Sequence, residues 1–197
     1  MNTYEKLDLL FTQNNGILKT SQVLNSGISK PSFYAYMKKR NVDQVAPGIY
    51  ATSDAWVDQM YLLHLRSKQA VFSHETALFF HDMTDREPRP YEVTIMTGYN
   101  PSNLKTDGIK VYTIKKELHD VGIITKKTPF GNPVLVYDME RTICDIVRSR
   151  NGIDKQIFRD ALKQYVRKKE KDLRKLMCYA RMLHIETLLR QYLEVLL

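Results

Sequence analysis

Cysteine is nearly missing from this chain: Cys144 and Cys178 are the only two in 197 residues, far apart and in apolar, helix-like surroundings. That excludes a disulfide framework and a zinc site built on thiolates, and it fits a reducing cytoplasm. Glycine and proline are sparse too, at 8 and 7, which excludes collagen-like and low-complexity chains. No apolar run approaches the ~20 residues that span a bilayer, so no membrane contact is expected. The opening residues, Met1 to Leu7, bring acid and amide early and carry no apolar stretch, so no signal peptide is expected. What remains is an ordinary globular composition, 43% hydrophobic and 26% charged.

The net charge is +8, and its placement says more than its sum. Residues 1–50 hold six Lys and Arg against three Asp and Glu. Residues 51–150 hold thirteen of each, and residues 151–197 hold eleven against six. Two basic ends flank a neutral middle, so contact with a polyanion would involve the ends.

The first fifty residues read as three short helices and a hairpin. Asn2 with Glu5 makes a capping box, and Leu7, Leu10 and Phe11 then share one helical face. Asn14-Asn15-Gly16 stops that helix. Thr20 is expected to cap a second, very short helix carrying Val23 and Leu24, ended by Asn25-Ser26-Gly27. Ser29-Lys30-Pro31 opens a third, which runs to about Arg40. Strands at Val42–Val45 and Ile49–Thr52 then flank Ala46-Pro47-Gly48, where Pro-Gly suits the centre of a type II turn.

Beyond Thr52, Ser53 is expected to cap a helix carrying Trp56, Met60 and Leu63. Ser73 opens a short helix that ends near Asp82. Strands are expected at Tyr91–Met96, Lys110–Lys115, Gly122–Lys126 and Pro133–Tyr137, with turn signals at Asp107-Gly108 and Gly131-Asn132. From Met139 onward the periodicity is helical, with Asp172 as a cap. The expected fold is α+β: a winged helix-turn-helix over residues 1–52, then a domain over 53–197. That second domain would hold a small, mainly antiparallel sheet at 91–137 and helices at 139–197.

Helix, Gly-containing turn, helix and hairpin together form a winged helix-turn-helix. At 100° per residue, Phe33, Tyr36, Met37 and Arg40 of the third helix fall in one arc, which packs inward. Pro31, Ala35 and Lys38 lie nearly opposite. The outward face is small at its centre and polar or basic at its margins, as a helix entering a major groove requires. Lys30, Lys38 and Lys39 would reach phosphates or guanine edges, and Ser32 and Tyr34 would donate to bases or backbone. The backbone N–H groups of Thr20 and Ser21 would meet a phosphate at a helix N-terminus, with Pro47 and Gly48 at the wing. The plainer alternative is a small helical domain with a solvated face.

Arg167, Lys168, Lys169, Lys171, Arg174 and Lys175 crowd a second basic surface. It reads either as a platform for a nucleic-acid backbone or as charges that complement a helix dipole in water.

Signals for catalysis are poor, and the chain is not expected to be an enzyme. It carries no Walker A motif and no Rossmann glycine fingerprint, so no cofactor is expected. His74-Glu75 with His81 has a spacing of seven, not the i, i+4 pair of zincins, and no metal is expected. Asp138, Glu140 and Asp145 beside Arg141 fit either a nuclease carboxylate cluster or a helix start, with Asp138 capping and Arg141 pairing.

In order along the chain, six segments make it resemble an AbiEi-type antitoxin of bacterial abortive-infection (type IV) toxin–antitoxin systems. They are Gly16-Ile-Leu-Lys-Thr-Ser-Gln-Val, Ser29-Lys-Pro-Ser-Phe-Tyr-Ala-Tyr, Val45-Ala-Pro-Gly-Ile-Tyr50, Phe72 to His81, Val136 to Asp145, and Asp172-Leu-Arg-Lys-Leu. The resemblance implies a winged helix that represses its own operon at inverted-repeat DNA. It also implies a carboxy-terminal domain that counteracts a nucleotidyltransferase-like toxin in phage defence, without a stable complex. Inverted repeats imply two copies on DNA, and a monomer in free solution is the expectation. Two alternatives stand beside this reading: an interaction module that grips a toxin directly, and a metal-dependent nuclease built on the Asp138 region.

Overall fold

Asn2 and Glu5 open the first helix reciprocally: Asn2 Oδ1 accepts from the Glu5 N–H at 2.8 Å, and a Glu5 carboxylate oxygen accepts from the Asn2 N–H at 2.9 Å. In the computed structural model, which describes residues 2–196, this helix is α1 (Thr3–Gln13). β1 (Ile17–Lys19), α2 (Thr20–Asn25), α3 (Lys30–Arg40), β2 (Asp43–Ala46), β3 (Ile49–Ala51) and α4 (Gln59–Arg66) follow. The three strands form an antiparallel sheet in the order β1-β3-β2. Gly16 enters β1 at φ +77°, and a Cβ there would lie 2.7 Å from Ala55 Cβ and from Thr52 Oγ1, so only glycine fits. Gly48 turns the wing at φ +70°, as a type II turn centred on Pro47 and Gly48 requires.

The core of this unit is Leu7, Phe11, Leu18, Val23, Ile28, Phe33, Tyr36 and Tyr50. A second patch joins Ile17, Ile49 and Ala51 of the sheet to Leu62 of α4. That packing corrects three expectations. The first compact unit ends at Arg66 rather than Thr52, because α4 covers the sheet, and Lys19 Nζ donates to the Leu65 carbonyl. α4 starts after Asp58, whose Oδ1 accepts from the Tyr61 N–H at 3.1 Å, and not after Ser53. Trp56 therefore precedes the helix instead of lying on it, and is 78% exposed.

The second unit, residues 67–197, contains β4 (Val71–Phe72), α5 (His74–Phe80), β5 (Glu92–Met96), α6 (Ser102–Thr106), β6 (Lys110–Ile114), α7 (Lys116–His119), β7 (Ile123–Lys127), β8 (Pro133–Tyr137) and α8 (Met139–Arg148). A 3-10 turn at Arg150–Gly152 leads into α9 (Lys155–Arg167), α10 (Leu173–Met182) and α11 (Glu186–Leu196). Its sheet has the order β6-β5-β4-β8-β7. Two pairings are antiparallel, β4 with β5 and β7 with β8; two are parallel, β5 with β6 and β4 with β8. The sheet is thus mixed, not mainly antiparallel. The cause is connection: α6 carries the chain over from β5 to β6, and a crossover returns the strand in the same direction. The two-residue β4 is too short to leave a periodic signal.

α8 is the central helix of this unit. Every residue from Glu140 to Val147 is buried, and Ile143, Ile146 and Val147 join a core completed by Leu162, Tyr165, Leu176, Leu189 and their neighbours on the last three helices. Asp138, Asp154 and Asp172 cap α8, α9 and α10 through side-chain bonds to backbone N–H groups. No described helix is long and apolar enough to cross a membrane.

Candidate nucleic-acid interface

Ser29 caps α3, and its hydroxyl lies 2.9 Å from that of Ser32, so part of the Ser32 polar capacity is spent locally. Phe33 and Tyr36 are buried, Met37 is half-buried, and Lys30, Pro31, Tyr34, Ala35, Lys38 and Lys39 are exposed. The inward and outward faces thus fall where the helical spacing places them, Arg40 excepted. Arg40 is exposed and reaches Asp8 of α1 at 2.8 Å, while the Tyr36 hydroxyl donates to the other oxygen of Asp8 at 2.6 Å. One carboxylate on α1 therefore holds the last turn of α3 at two points. Burial, with Asp8 second, pushes the Tyr36 phenol well above its ordinary range. Lys39 lies 5.2 Å from the centre of the Tyr4 ring, also on α1. Of the three lysines assigned to the groove, Lys39 is thus held beside α1, and Lys30 and Lys38 are exposed.

The structure corrects the expected phosphate site at α2. Thr20 begins the helix rather than capping it, and its N–H donates to the Gly48 carbonyl at 2.9 Å. The cause is register: Lys19 pairs with Ile49, and Thr20 prolongs that antiparallel ladder into the wing turn. The preceding N–H, of Lys19, is satisfied by Gln22 Oε1 at 2.8 Å. Ser21 remains exposed beside it. Pro47 is exposed at the tip of the wing and Gly48 is half-buried behind it.

Sequence reasoning missed Tyr50. Its ring meets Phe33 edge-on at 5.2 Å. Burial raises the Tyr50 phenol, Tyr34 adds to the rise, and the bond from Thr20 works against it. The aromatic contact joins α3 to β3. The signal was present in Ile49-Tyr50-Ala51, but alternation along three residues does not say which face a tyrosine takes.

In the second unit the basic run separates. Arg167, Lys169 and Arg174 are exposed, Lys168 and Lys171 are half-buried, and Lys171 donates to the Lys168 carbonyl at 3.2 Å. Lys175 does not belong to a free cationic surface: it bridges Asp138 at 2.9 Å and Glu140 at 3.4 Å. Tyr179 also donates to Asp138, and Tyr165 donates to Glu140. Asp145 is held by Arg141 Nε at 3.1 Å. The carboxylates that invited a nuclease reading are therefore capping, bridging or paired. Among the described residues, no three His, Cys, Asp or Glu side chains converge as metal ligands.

His74 and His81 are buried. His74 lies between the hydroxyls of Ser73 and Ser149, at 3.0 Å each, and stacks on Tyr112; His74, Tyr112 and Ser149, with Asp145 and Arg148, line a polar cavity of about 360 Å³. His81 Nε2 is 2.7 Å from the Tyr137 carbonyl, to which it donates. Burial holds both imidazoles below the ordinary histidine range; Lys110, Arg141 and Arg148 lower His74 further, and the Tyr137 bond partly restores His81. On acidification below about pH 6.5 the unfolded chain takes up protons that these native histidines refuse. Stability is then full above that pH and falls beneath it, by up to about 1.4 kcal/mol per pH unit for each histidine. Asp145 opposes the trend, because burial raises it to about 6 despite Arg141. Glu75, which burial and the neighbouring Glu92 also raise, adds to that opposition at the acid end, so the net loss is expected between pH 7.5 and about 6. Urea unfolding across that range should show it, and a flat profile would refute the assignment.

The fold this geometry defines is a winged helix-turn-helix arrangement followed by a mixed α/β unit. Among solved structures, the chain is similar to the crystal structure of RV2827C protein from Mycobacterium tuberculosis, with a TM-score of 0.60 and 12% identity. The likeness covers 92% of this chain and 72% of that one, and at such identity it concerns the fold alone. No family model and no curated protein matches the sequence.

Proposed function

We propose that the chain is a DNA-binding autorepressor and the antitoxin of an abortive-infection toxin–antitoxin pair. The observation that carries the DNA reading is α3: an aromatic face locked into the core, an exposed face of small and basic residues, and an exposed wing tip at Pro47 beside it. Such a helix presents little bulk to a major groove and leaves Lys30 and Lys38 for phosphates. The antitoxin half of the proposal rests on the family resemblance of the whole chain. Its partner would be a nucleotidyltransferase-like toxin, opposed without a stable complex, and its operator an inverted repeat holding two copies.

A mobility shift on the DNA immediately upstream of the chain's own gene tests the first half. The full chain should give a specific shift that weakens steeply with salt. Lys38→Ala should lower affinity and flatten the logarithmic salt slope by about 0.9 for each phosphate it no longer neutralises. An unchanged slope would remove Lys38 from the phosphate-binding residues, and no preference over random DNA would overturn the repressor reading. Co-expression with the toxin encoded beside it tests the second half: growth should be rescued without co-purification. A complex that survives purification would favour direct grip of the toxin instead.

A further inference from the structure

We infer that operator sequence is read chiefly through thymine: Pro31 and Ala35, at the centre of the exposed face of α3, meet thymine methyl groups in each half-site. The inference rests on the DNA-binding reading above and goes one step past it, from duplex DNA to the kind of base.

The argument comes from what the face has left to offer. Phe33 and Tyr36 are in the core. Arg40 is the only arginine of α3 and is held by Asp8 at 2.8 Å. Lys39 lies over Tyr4 at 5.2 Å, the Ser32 hydroxyl is 2.9 Å from that of Ser29, and Tyr34, one residue on from Phe33, stands about 100° round the helix from it, off the centre of the outer arc. Pro31, Ala35 and Lys38 remain on the outer arc, all three exposed. The helix contains no Asn or Gln. It therefore lacks the side chains that grip adenine with two hydrogen bonds, and its one arginine, the usual guanine reader, is engaged on another element. What occupies the middle of the face is a proline ring and a methyl group. The thymine methyl is the apolar feature of the major groove, and a small apolar surface is its complement. Lys38 sits at the margin of this patch, suited to a phosphate or to a flanking guanine.

The test starts from duplexes selected by the full chain from a random-sequence pool. The best is resynthesised with deoxyuridine replacing each thymidine in turn, which deletes one methyl and keeps every hydrogen-bonding group. One or two thymines in each half-site should each lose roughly three- to fivefold in affinity, the factor expected for one buried methyl-sized group. At the thymine opposite Ala35, the Ala35→Gly variant should show no further loss on uracil substitution, because the two changes delete the same methyl–methyl interaction. Circular dichroism would check that the variant keeps its helix, and the uracil series stands without it. Unchanged affinity on replacing every thymine would overturn the inference while leaving DNA binding intact. So would a central guanine whose recognition is lost both with 7-deazaguanine and with Lys38→Ala. If selection enriches no sequence, base reading itself fails, and the repressor reading falls with it.

Discussion

Replacing Arg141 with alanine is expected to cost the second unit about 3–5 kcal/mol, because it strands a buried charge instead of removing a surface one. Arg141 is fully buried in the middle of α8. Its Nε donates to Asp145 at 3.1 Å, its Nη1 donates to the carbonyls of Leu118 and Val121 at 2.7 and 2.8 Å, and its guanidinium lies 4.2 Å from the Tyr137 ring centre. One side chain thus ties α8 to α7, to the turn before β7 and to the end of β8. Alanine would leave two half-buried carbonyls and a buried carboxylate without the guanidinium, together with a void beside Tyr137. Against a typical domain stability of about 5–15 kcal/mol that is a large fraction. The transition of this unit in a thermal melt should fall by on the order of 10 °C or more. Arg141→Met combined with Asp145→Leu should recover part of the loss, since two apolar side chains of similar reach leave no charge stranded. A single variant that melts within about 2 °C of the parent would mean that water replaces the guanidinium and that the pair is not structural.

The same residues explain why the second unit was harder to read from sequence than the first. The first unit announces itself locally: the Asn2–Glu5 box, the Asn15-Gly16 stop, Ser29 before Pro31 and the Pro47-Gly48 turn each act within a few residues. The three helices and the hairpin follow from those signals, and so does the buried face of α3. What escaped depends on distant pairing. β1 is a strand only because β3 lies beside it, and Thr20 loses its N–H to Gly48, 28 residues further on. Arg40 falls in the inward arc by angle, yet it ends exposed, because Asp8 is where its charge is satisfied. In the second unit the parallel pairing of β4 with β8 joins Phe72 to Val136, a separation no local pattern reveals. Lys175 looked like one more cation in a basic run. Only the fold brings Asp138 and Glu140 to it.

If the proposed DNA binding holds, Phe33→Ala should abolish it at every salt concentration, and for a different reason from Lys38→Ala. Phe33 is 1% exposed and packs edge-on against Tyr50, among Leu7, Phe11, Leu18, Val23, Ile28 and Tyr36. Removing a buried phenyl ring costs about 3–5 kcal/mol, part lost burial and part cavity. The unit that holds it spans residues 1–66, and domains of this size bury only a modest share of their surface and are marginal to begin with. The loss would therefore take most of its stability, and α3 would no longer be held at a fixed angle by β3 and α1. Phe33→Leu, which keeps most of the volume, should bind DNA with a nearly normal salt slope. Lys38→Ala, in contrast, should stay folded and weaken binding only by the share of phosphate neutralisation that its ammonium supplied. Melting curves and salt-dependent shifts measured on the same three variants separate the two effects. A Phe33→Ala chain that binds the upstream DNA as tightly as the parent would show that α3 is not the element that enters the groove, whatever its sequence resembles.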